Sequence, residues 1–111
     1  MIIKNLTKNA VLSEDARLCR GFSKYIGLMF SKKKTLVFEF KKEEMIPIHM
    51  FFVFFPICLI YLDKNKRVVE IKRNLEPFSY YTPKNKAKYL IEVPNGMIDK
   101  TKTGVRDRLN F

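Results

Sequence analysis

The sequence contains few of the residues from which catalytic and metal sites are built. It has one histidine and two cysteines in 111 residues, too few for a structural zinc site with four closely spaced ligands. Its four glycines are isolated from one another, which excludes a glycine-rich phosphate-binding loop. The acidic residues show no pattern typical of paired catalytic carboxylates. The sequence therefore favours a non-enzymatic protein, and we predict no catalytic residue, no metal and no cofactor.

The two cysteines, Cys19 and Cys58, are also too few for a disulfide framework, and both lie in apolar stretches. We expect them to be buried thiols, as is usual in a reducing cytosol. The N-terminal stretch contains no apolar signal segment and no cleavage pattern. These features predict a cytoplasmic protein.

Acidic residues are in the minority, with 11 Asp and Glu against 22 Lys and Arg and a formal net charge of +11. A positive charge of this size attracts nucleic acid and acidic proteins, which are therefore candidate partners. The alternative is that the lysines only keep the protein in solution, because composition alone does not identify a binding site. The chain length fits a single domain that spans residues 1–111.

The chain does contain one long apolar run, from Met45 to Leu62, in which His49 is the polar exception. A run of this length could cross a membrane as a helix, but Pro47 and Pro56 would interrupt that helix. The Phe, Val and Ile residues between the prolines favour strands, and strands covered on both faces have continuous apolar sequences. We therefore predict two buried strands that meet at Pro56, and we expect no membrane span.

Shorter patterns predict the remaining elements. Apolar or alternating segments predict strands at Ile2 to Leu6, Leu36 to Phe40, Arg67 to Lys72, Tyr89 to Val93 and Val105 to Phe111. The segment Val11 to Arg20 is also assigned to a strand, with a helix capped by Ser13 as the alternative. The strands on either side of Asp63 and Asn65 form a predicted hairpin, residues 76–85 a loop, and Pro94 to Gly96 a turn. Four residues have the spacing of one amphipathic helix: Phe22, Tyr25, Ile26 and Met29. The predicted fold is mainly β (a β-rich α+β domain), a sandwich or partly closed barrel with one short helix.

Basic residues cluster on both sides of the aromatic residues of the predicted loop. Small basic barrels bind single-stranded nucleic acid by stacking bases on exposed aromatic rings beside a positive groove. The other interpretation is that these rings pack the loop onto the core. The candidate surface consists of Lys32, Lys33, Lys34, Arg73, Phe78, Tyr80, Tyr81, Lys84, Lys86 and Lys88. Nucleic-acid binding is the alternative to our main hypothesis, a non-enzymatic module that binds a ligand or a protein partner.

The order and spacing of several short motifs resemble the DUF192 family over nearly the whole chain. The motifs are Tyr25–Phe30, Ile48–Ile57, Ile60–Asp63, Arg67–Ile71, Pro83, Ala87–Gly96 and Gly104–Asp107. The segment that begins with His49 resembles the archaeal form of the family. The resemblance implies a compact, mainly β fold with a short helix, and it implies no activity because the family is uncharacterised.

The resemblance also implies a candidate cluster of motif positions. These are Gly27, Leu28, Met29, His49, Met50, Pro56, Cys58 and Asp63. Cys58 stands where the family usually has an aspartate, so any ligand contact made by that carboxylate would be missing here. His49 lies between two apolar residues, which is typical of a core histidine, although a working acid or base is the alternative.

Overall fold

The computed structural model describes residues 1–19, 35–50 and 54–111, with only the backbone of His49, and its described elements are mainly strands. In chain order the strands are β1 (Ile3–Asn5), β2 (Ala10–Ser13), β3 (Arg17–Cys19), β4 (Leu36–Glu44), β5 (Ile48–His49), β6 (Ile57–Leu62), β7 (Val68–Leu75), β8 (Tyr80–Tyr81), β9 (Ala87–Pro94) and β10 (Leu109–Asn110). The described helix, α1 (Met97–Thr101), follows β9. The helix predicted over residues 22–29 lies outside the described residues.

The largest sheet has five strands in the order β3-β4-β9-β6-β7. Strands β3 and β4 are parallel, and the other neighbours are antiparallel. A three-stranded sheet, β10-β1-β2, and a two-stranded sheet, β5-β8, complete the described topology. The prediction of a mainly β fold is confirmed, and the sheets do not close into a barrel.

Apolar side chains cover both faces of the five-stranded sheet, because alternate residues of its central strands enter two different clusters. We call one side the Tyr61 face; it includes Leu36, Phe38, Met50, Leu59, Tyr61 and Leu90. We call the other side the Ile60 face; it includes Val37, Cys58, Ile60, Ile91, Ile98 and Leu109. All residues of β6 are buried, which confirms the prediction that this continuous apolar segment is a strand covered on both sides.

The N-terminal half of the apolar run differs from its prediction. Between Met45 and Pro56, the described strand is Ile48–His49 alone, and residues 51–53 lie outside the described residues. The prediction of a buried strand up to Phe55 is wrong at Phe54, whose side chain is 66% exposed. In the described ranges no helix is long and apolar enough to cross a membrane.

Strand β7 forms the predicted hairpin with β6, but a different set of its side chains is buried. In the sequence Val69 and Ile71 alternate with Glu70 and Lys72, a pattern that favours the aliphatic residues inside, whereas Glu70 is buried and both aliphatic residues are half-buried. The reason is a register shift opposite Tyr61 and Leu62, which changes the side chains that β7 turns towards the core. The acid at position 70 is consequently part of the Tyr61 face.

Helix α1 was not predicted, although the turn before it was. Gly96 has φ of +94°, a left-handed conformation that favours glycine, and the helix begins directly after it. The helix is too short to show the periodicity by which helices are recognised in a sequence. Its buried Ile98 contributes to the Ile60 face.

A buried polar network fixes the C-terminal segment against β1. Asp107 accepts hydrogen bonds from Asn5 Nδ2 at 2.9 Å, from Lys8 Nζ at 2.8 Å and from the Gly104 backbone at 2.9 Å. Burial opposes the charge of Asp107, but the bonds from Asn5, Lys8 and Gly104 hold the pKa of its carboxyl below the ordinary value.

We expect Asp107→Asn to lower the free energy of unfolding by about 1–2 kcal/mol at pH 7, because the charge-assisted bonds from Lys8 and Asn5 are weakened. The folded state favours the ionised carboxyl, so this contribution is present above the ordinary pKa and is lost as the pH falls through the lowered one. Urea unfolding at pH 7 and pH 3 measures the difference. The control is Asp99→Asn, which removes an exposed ion pair with Arg73 and should change stability by less than about 1 kcal/mol. Equal losses in the two variants would contradict the prediction.

Candidate functional site

Glu92 is the unusual residue of the Tyr61 face. In the antiparallel registers of β9 with its two neighbours, Glu92 lies opposite Leu36 on β4 and Leu59 on β6. Directly opposed residues of an antiparallel pair project from the same face, so this carboxyl lies between two leucines on the Tyr61 face. A carboxyl in the central strand of an apolar sheet face is rare unless it has a partner.

The carboxyl of Glu92 lacks such a partner among the described residues. Its side chain is only 5% exposed, and no described donor forms a hydrogen bond with the buried Oε2. Burial raises the pKa of Glu92 from the ordinary 4.5 to about 8, so the group is mostly a neutral acid at pH 7. An unsatisfied buried oxygen of this kind destabilises the fold unless a ligand supplies the missing bond.

Tyr61 and Glu70 form the neighbouring polar part of the same face. They lie opposite each other in the β6–β7 pair, and the Tyr61 hydroxyl donates to the Ile46 carbonyl at 2.9 Å. Burial raises the pKa of Tyr61 well above its ordinary range, with further contributions from Glu70 and Glu92. Tyr61 therefore remains a neutral phenol that is within electrostatic reach of both acids.

Glu70 is fully partnered, in contrast to Glu92. Its Oε2 accepts from the Tyr81 hydroxyl, and its Oε1 accepts from the backbone N–H groups of Lys84 and Asn85 at 2.9 and 3.0 Å and from Asn85 Nδ2 at 3.0 Å. Burial disfavours the charge, but these bonds lower the pKa of Glu70 below its ordinary value. Burial and the neighbouring Glu70 raise the pKa of Tyr81 to about 12. The face thus holds one ionised acid and one unpaired acid.

The motif positions predicted from the family resemblance do not form one group. Met50 is buried on the Tyr61 face, whereas Cys58 is buried on the Ile60 face and its thiol donates to Asn95 Oδ1 at 3.4 Å. Asp63 is in the β6–β7 turn, where its Oδ1 accepts from the backbone of Asn65 and Arg67, and Pro56 is half-buried. Gly27, Leu28, Met29 and the side chain of His49 lie outside the described residues.

The candidate basic and aromatic residues also differ in their surroundings. Phe78, Tyr80, Lys84 and Lys86 are exposed, and Tyr81 is half-buried on Glu70. The interpretation that the rings pack onto the core is therefore wrong for Phe78 and Tyr80. Arg73 Nε donates to Asp99 at 3.0 Å, and Lys88 Nζ donates to the Lys41 carbonyl. Lys32, Lys33 and Lys34 lie outside the described residues.

Glu70 and Glu92 are not among the site residues predicted from the sequence, although both are recognisable as isolated acids. Each is a lone acid within a predicted strand, Val68-Val69-Glu70-Ile71 and Leu90-Ile91-Glu92-Val93. An acid in that position is usually assigned to the exposed side of the strand. The burial of these two acids follows from the registers of β7 and β9 with β6 and not from the strand sequences themselves.

Within the described ranges, no group of three or more His, Cys, Asp or Glu side chains could hold a metal ion. The Oε2 of Glu92, unpartnered among the described residues, can accept a hydrogen bond from a neutral or cationic donor.

Comparison with protein-family models matches residues 8–111 to DUF192, described as "Uncharacterized ACR, COG1430". The chain is 36% identical over 111 residues to a UPF0127 protein of Pyrococcus furiosus, which covers 96% of this chain and 95% of the relative. It is 37% identical over 114 residues to a UPF0127 protein of Pyrococcus horikoshii, with 99% and 98% covered. The archaeal resemblance suggested by the motifs is confirmed.

Two bacterial crystal structures share the fold. A protein of unknown function from Novosphingobium aromaticivorans superposes with a TM-score of 0.85, covering 99% of this chain and 82% of that protein. A protein from Sinorhizobium meliloti 1021 gives a TM-score of 0.86, with 98% and 89% covered. Both are 16% identical to this chain, so the likeness concerns the fold alone.

Proposed function

Because this chain belongs to the DUF192 family of uncharacterised proteins, we propose its function from the chemistry of the Tyr61 face: it is a non-enzymatic module that binds a small organic amine on Glu92. The observation that carries the proposal is the buried Oε2 of Glu92, which has no donor among the described residues. An unsatisfied polar atom destabilises the free protein, but in a binding site the ligand supplies the missing hydrogen bond and that cost is recovered on binding.

An amine fits this face better than an alcohol or a carboxylic acid does. An ammonium group carries several donors and a positive charge. The ionised Glu70 attracts that charge, and Glu92 does so once it has released its proton. Among the described residues no positively charged side chain pairs with the Glu92 carboxyl, so the ammonium group of the ligand would be its first cationic partner. A carboxylate ligand would be repelled by the ionised Glu70.

The test uses three compounds with one carbon skeleton: benzylamine, benzyl alcohol and benzoate. We expect benzylamine to shift the NMR resonances of the Leu36, Leu59 and Leu90 amides at lower concentration than the other two compounds do. Glu92→Gln keeps the shape of the side chain but cannot become an anion, so it should weaken benzylamine binding tenfold or more, the effect of about 1.4 kcal/mol. Binding of benzyl alcohol should change little.

The pH dependence has a defined direction. Because the acid is neutral at pH 7, amine binding must release its proton, and affinity should rise as the pH approaches 8. Calorimetry in buffers of different ionisation enthalpy measures this proton release. The control is Glu14→Gln, which removes an exposed acid. Equal binding by wild type and Glu92→Gln, a preference for benzoate, or no shift at these amides would refute the proposal.

We further propose a cytoplasmic location and a single folding unit over residues 1–111. The buried Cys58 thiol supports a reducing compartment, and the contact between the N-terminal and C-terminal strands β1 and β10 supports one unit. Limited proteolysis that yields a stable fragment lacking either end would contradict the second point, and fractionation of the source cells tests the first.

A further inference from the structure

Three aromatic side chains near β8 project into solvent, although large aromatic side chains are usually buried. Phe54, Phe78 and Tyr80 are 66%, 56% and 76% exposed. The rings of Phe54 and Phe78 meet edge to face with centroids 5.5 Å apart. In β8 successive side chains alternate, so Tyr80 points outward while Tyr81 turns to Glu70. We call these three residues the aromatic platform.

The backbone holds Phe78 in this exposed position at an energetic cost. Its φ is +60°, a left-handed conformation that is rare for a bulky residue and destabilises the chain locally. Two backbone bonds enforce it, from Phe78 N to the Met50 carbonyl at 2.9 Å and from Met50 N to the Ser79 carbonyl at 2.7 Å. The exposed ring of Phe78 does not contribute to the core, which leaves it available to a partner.

Positive charges lie on the segments that flank β8. Lys84 is anchored through its backbone to the same Glu70 carboxylate that binds Tyr81, which places it next to β8. Lys72 Nζ lies 5.9 Å from the centre of the Tyr81 ring. Lys84 and Lys86 are both exposed. With the net charge of +11, these lysines favour an anionic partner.

We propose that the aromatic platform binds single-stranded nucleic acid, with bases stacked on Phe54, Phe78 and Tyr80 and phosphates held by Lys84 and Lys86. Exposed rings and lysines match the two parts of single-stranded nucleic acid. The rings can stack on the flat faces of the bases, and the lysines can bind the negatively charged phosphates. An acidic peptide would use the lysines but would leave three rings unexplained. This surface is separate from Glu92, so either proposal stands without the other.

The test measures anisotropy of a short fluorescein-labelled oligouridylate with the full chain over a salt series. The ring variants are Phe54→Ser, Phe78→Asn and Tyr80→Ser; asparagine tolerates the left-handed backbone, so Phe78→Asn should fold at least as stably as wild type. Each should weaken binding about fivefold or more without changing the salt dependence. Lys84→Gln combined with Lys86→Gln should instead flatten the slope of log affinity against log salt by about 0.7 for each phosphate that is no longer neutralised.

Two matched controls separate the platform from general surface effects. Val105→Asn changes an apolar side chain that is 55% exposed elsewhere, and Lys4→Gln combined with Lys102→Gln removes two exposed charges outside the platform. The proposal is overturned if the oligouridylate does not bind at low salt, or if the ring variants bind like Val105→Asn. It is also overturned if the two lysine pairs have equal effects, or if polyglutamate binds with the same dependence on the rings.

Discussion

Glu92→Met is expected to make the protein more stable, and the gain should be about 4 kcal/mol larger at pH 9 than at pH 5. Methionine has a similar volume and no unsatisfied oxygen, which accounts for the smaller gain. The larger gain comes from ionisation. The folded state raises the pKa of Glu92 from 4.5 to about 8, and each unit of difference corresponds to about 1.4 kcal/mol.

The sign follows from where the acid ionises in each state. Below pH 4.5 the carboxyl is protonated in both states and does not affect the pH dependence. Between pH 4.5 and pH 8 the unfolded chain loses the proton first, so wild-type stability falls as the pH rises. Above pH 8 both states are ionised and the difference stays constant. The methionine variant lacks this loss, and the gap between the two proteins should widen over that window.

Urea unfolding at pH 5, 7 and 9 of wild type, Glu92→Met and the exposed-acid control Glu14→Gln measures the effect. Stability curves of wild type and Glu92→Met that remain parallel from pH 5 to pH 9 would show that Glu92 is not a buried, unpaired acid. A more stable variant that no longer binds benzylamine would connect the destabilising acid with the proposed site, as expected when a functional residue is retained against stability.

The sequence predicts the core strands of this fold well because their signal is local. The continuous apolar letters of Ile57–Leu62 and the alternation of Leu36 to Phe40 correspond to β6 and the first half of β4. The burial of Glu70 has no such signal, because it depends on a register shift with β6 and on donors from Lys84 and Asn85. Such cross-strand relations are absent from any short window of sequence.

The candidate sites show the same division between local and non-local information. Tyr80 and Phe78 were recognisable as loop aromatics beside lysines, but their exposure depends on the backbone of Met50 and Ser79. Glu92 was recognisable as an acid in a strand, but its lack of a partner depends on the side chains of β4 and β6 that lie opposite it. Residue types were therefore predictable, whereas their burial and pairing required the fold.

Glu70→Ala is expected to lower the free energy of unfolding by about 3 kcal/mol at pH 7 and to release the loop between β7 and β9. The carboxylate accepts four hydrogen bonds, which connect Tyr81, Lys84 and Asn85 to β7. Bonds to an ionised group contribute about 1.5–3 kcal/mol each, but Lys84 and Asn85 are exposed and water replaces part of their loss. Burial opposes the charge, yet the bonds lower the pKa of Glu70, so its contribution is present above the ordinary pKa of 4.5 and is lost as the pH falls through the lowered value.

Urea unfolding and amide hydrogen exchange at Lys84 and Asn85 measure the two effects of Glu70→Ala. The control is Glu76→Gln, in the same loop, whose side chain is exposed and accepts a bond from Asn74. Tyr81→Phe removes one of the four bonds and should cost about 1–2 kcal/mol, and combined with Glu70→Ala it should add little more. If Glu70→Ala unfolds like Glu76→Gln and the two amides exchange at the wild-type rate, Glu70 does not hold the loop. If they exchange faster, Glu70 is also the residue that positions β8, and the oligouridylate affinity of the aromatic platform should fall with it.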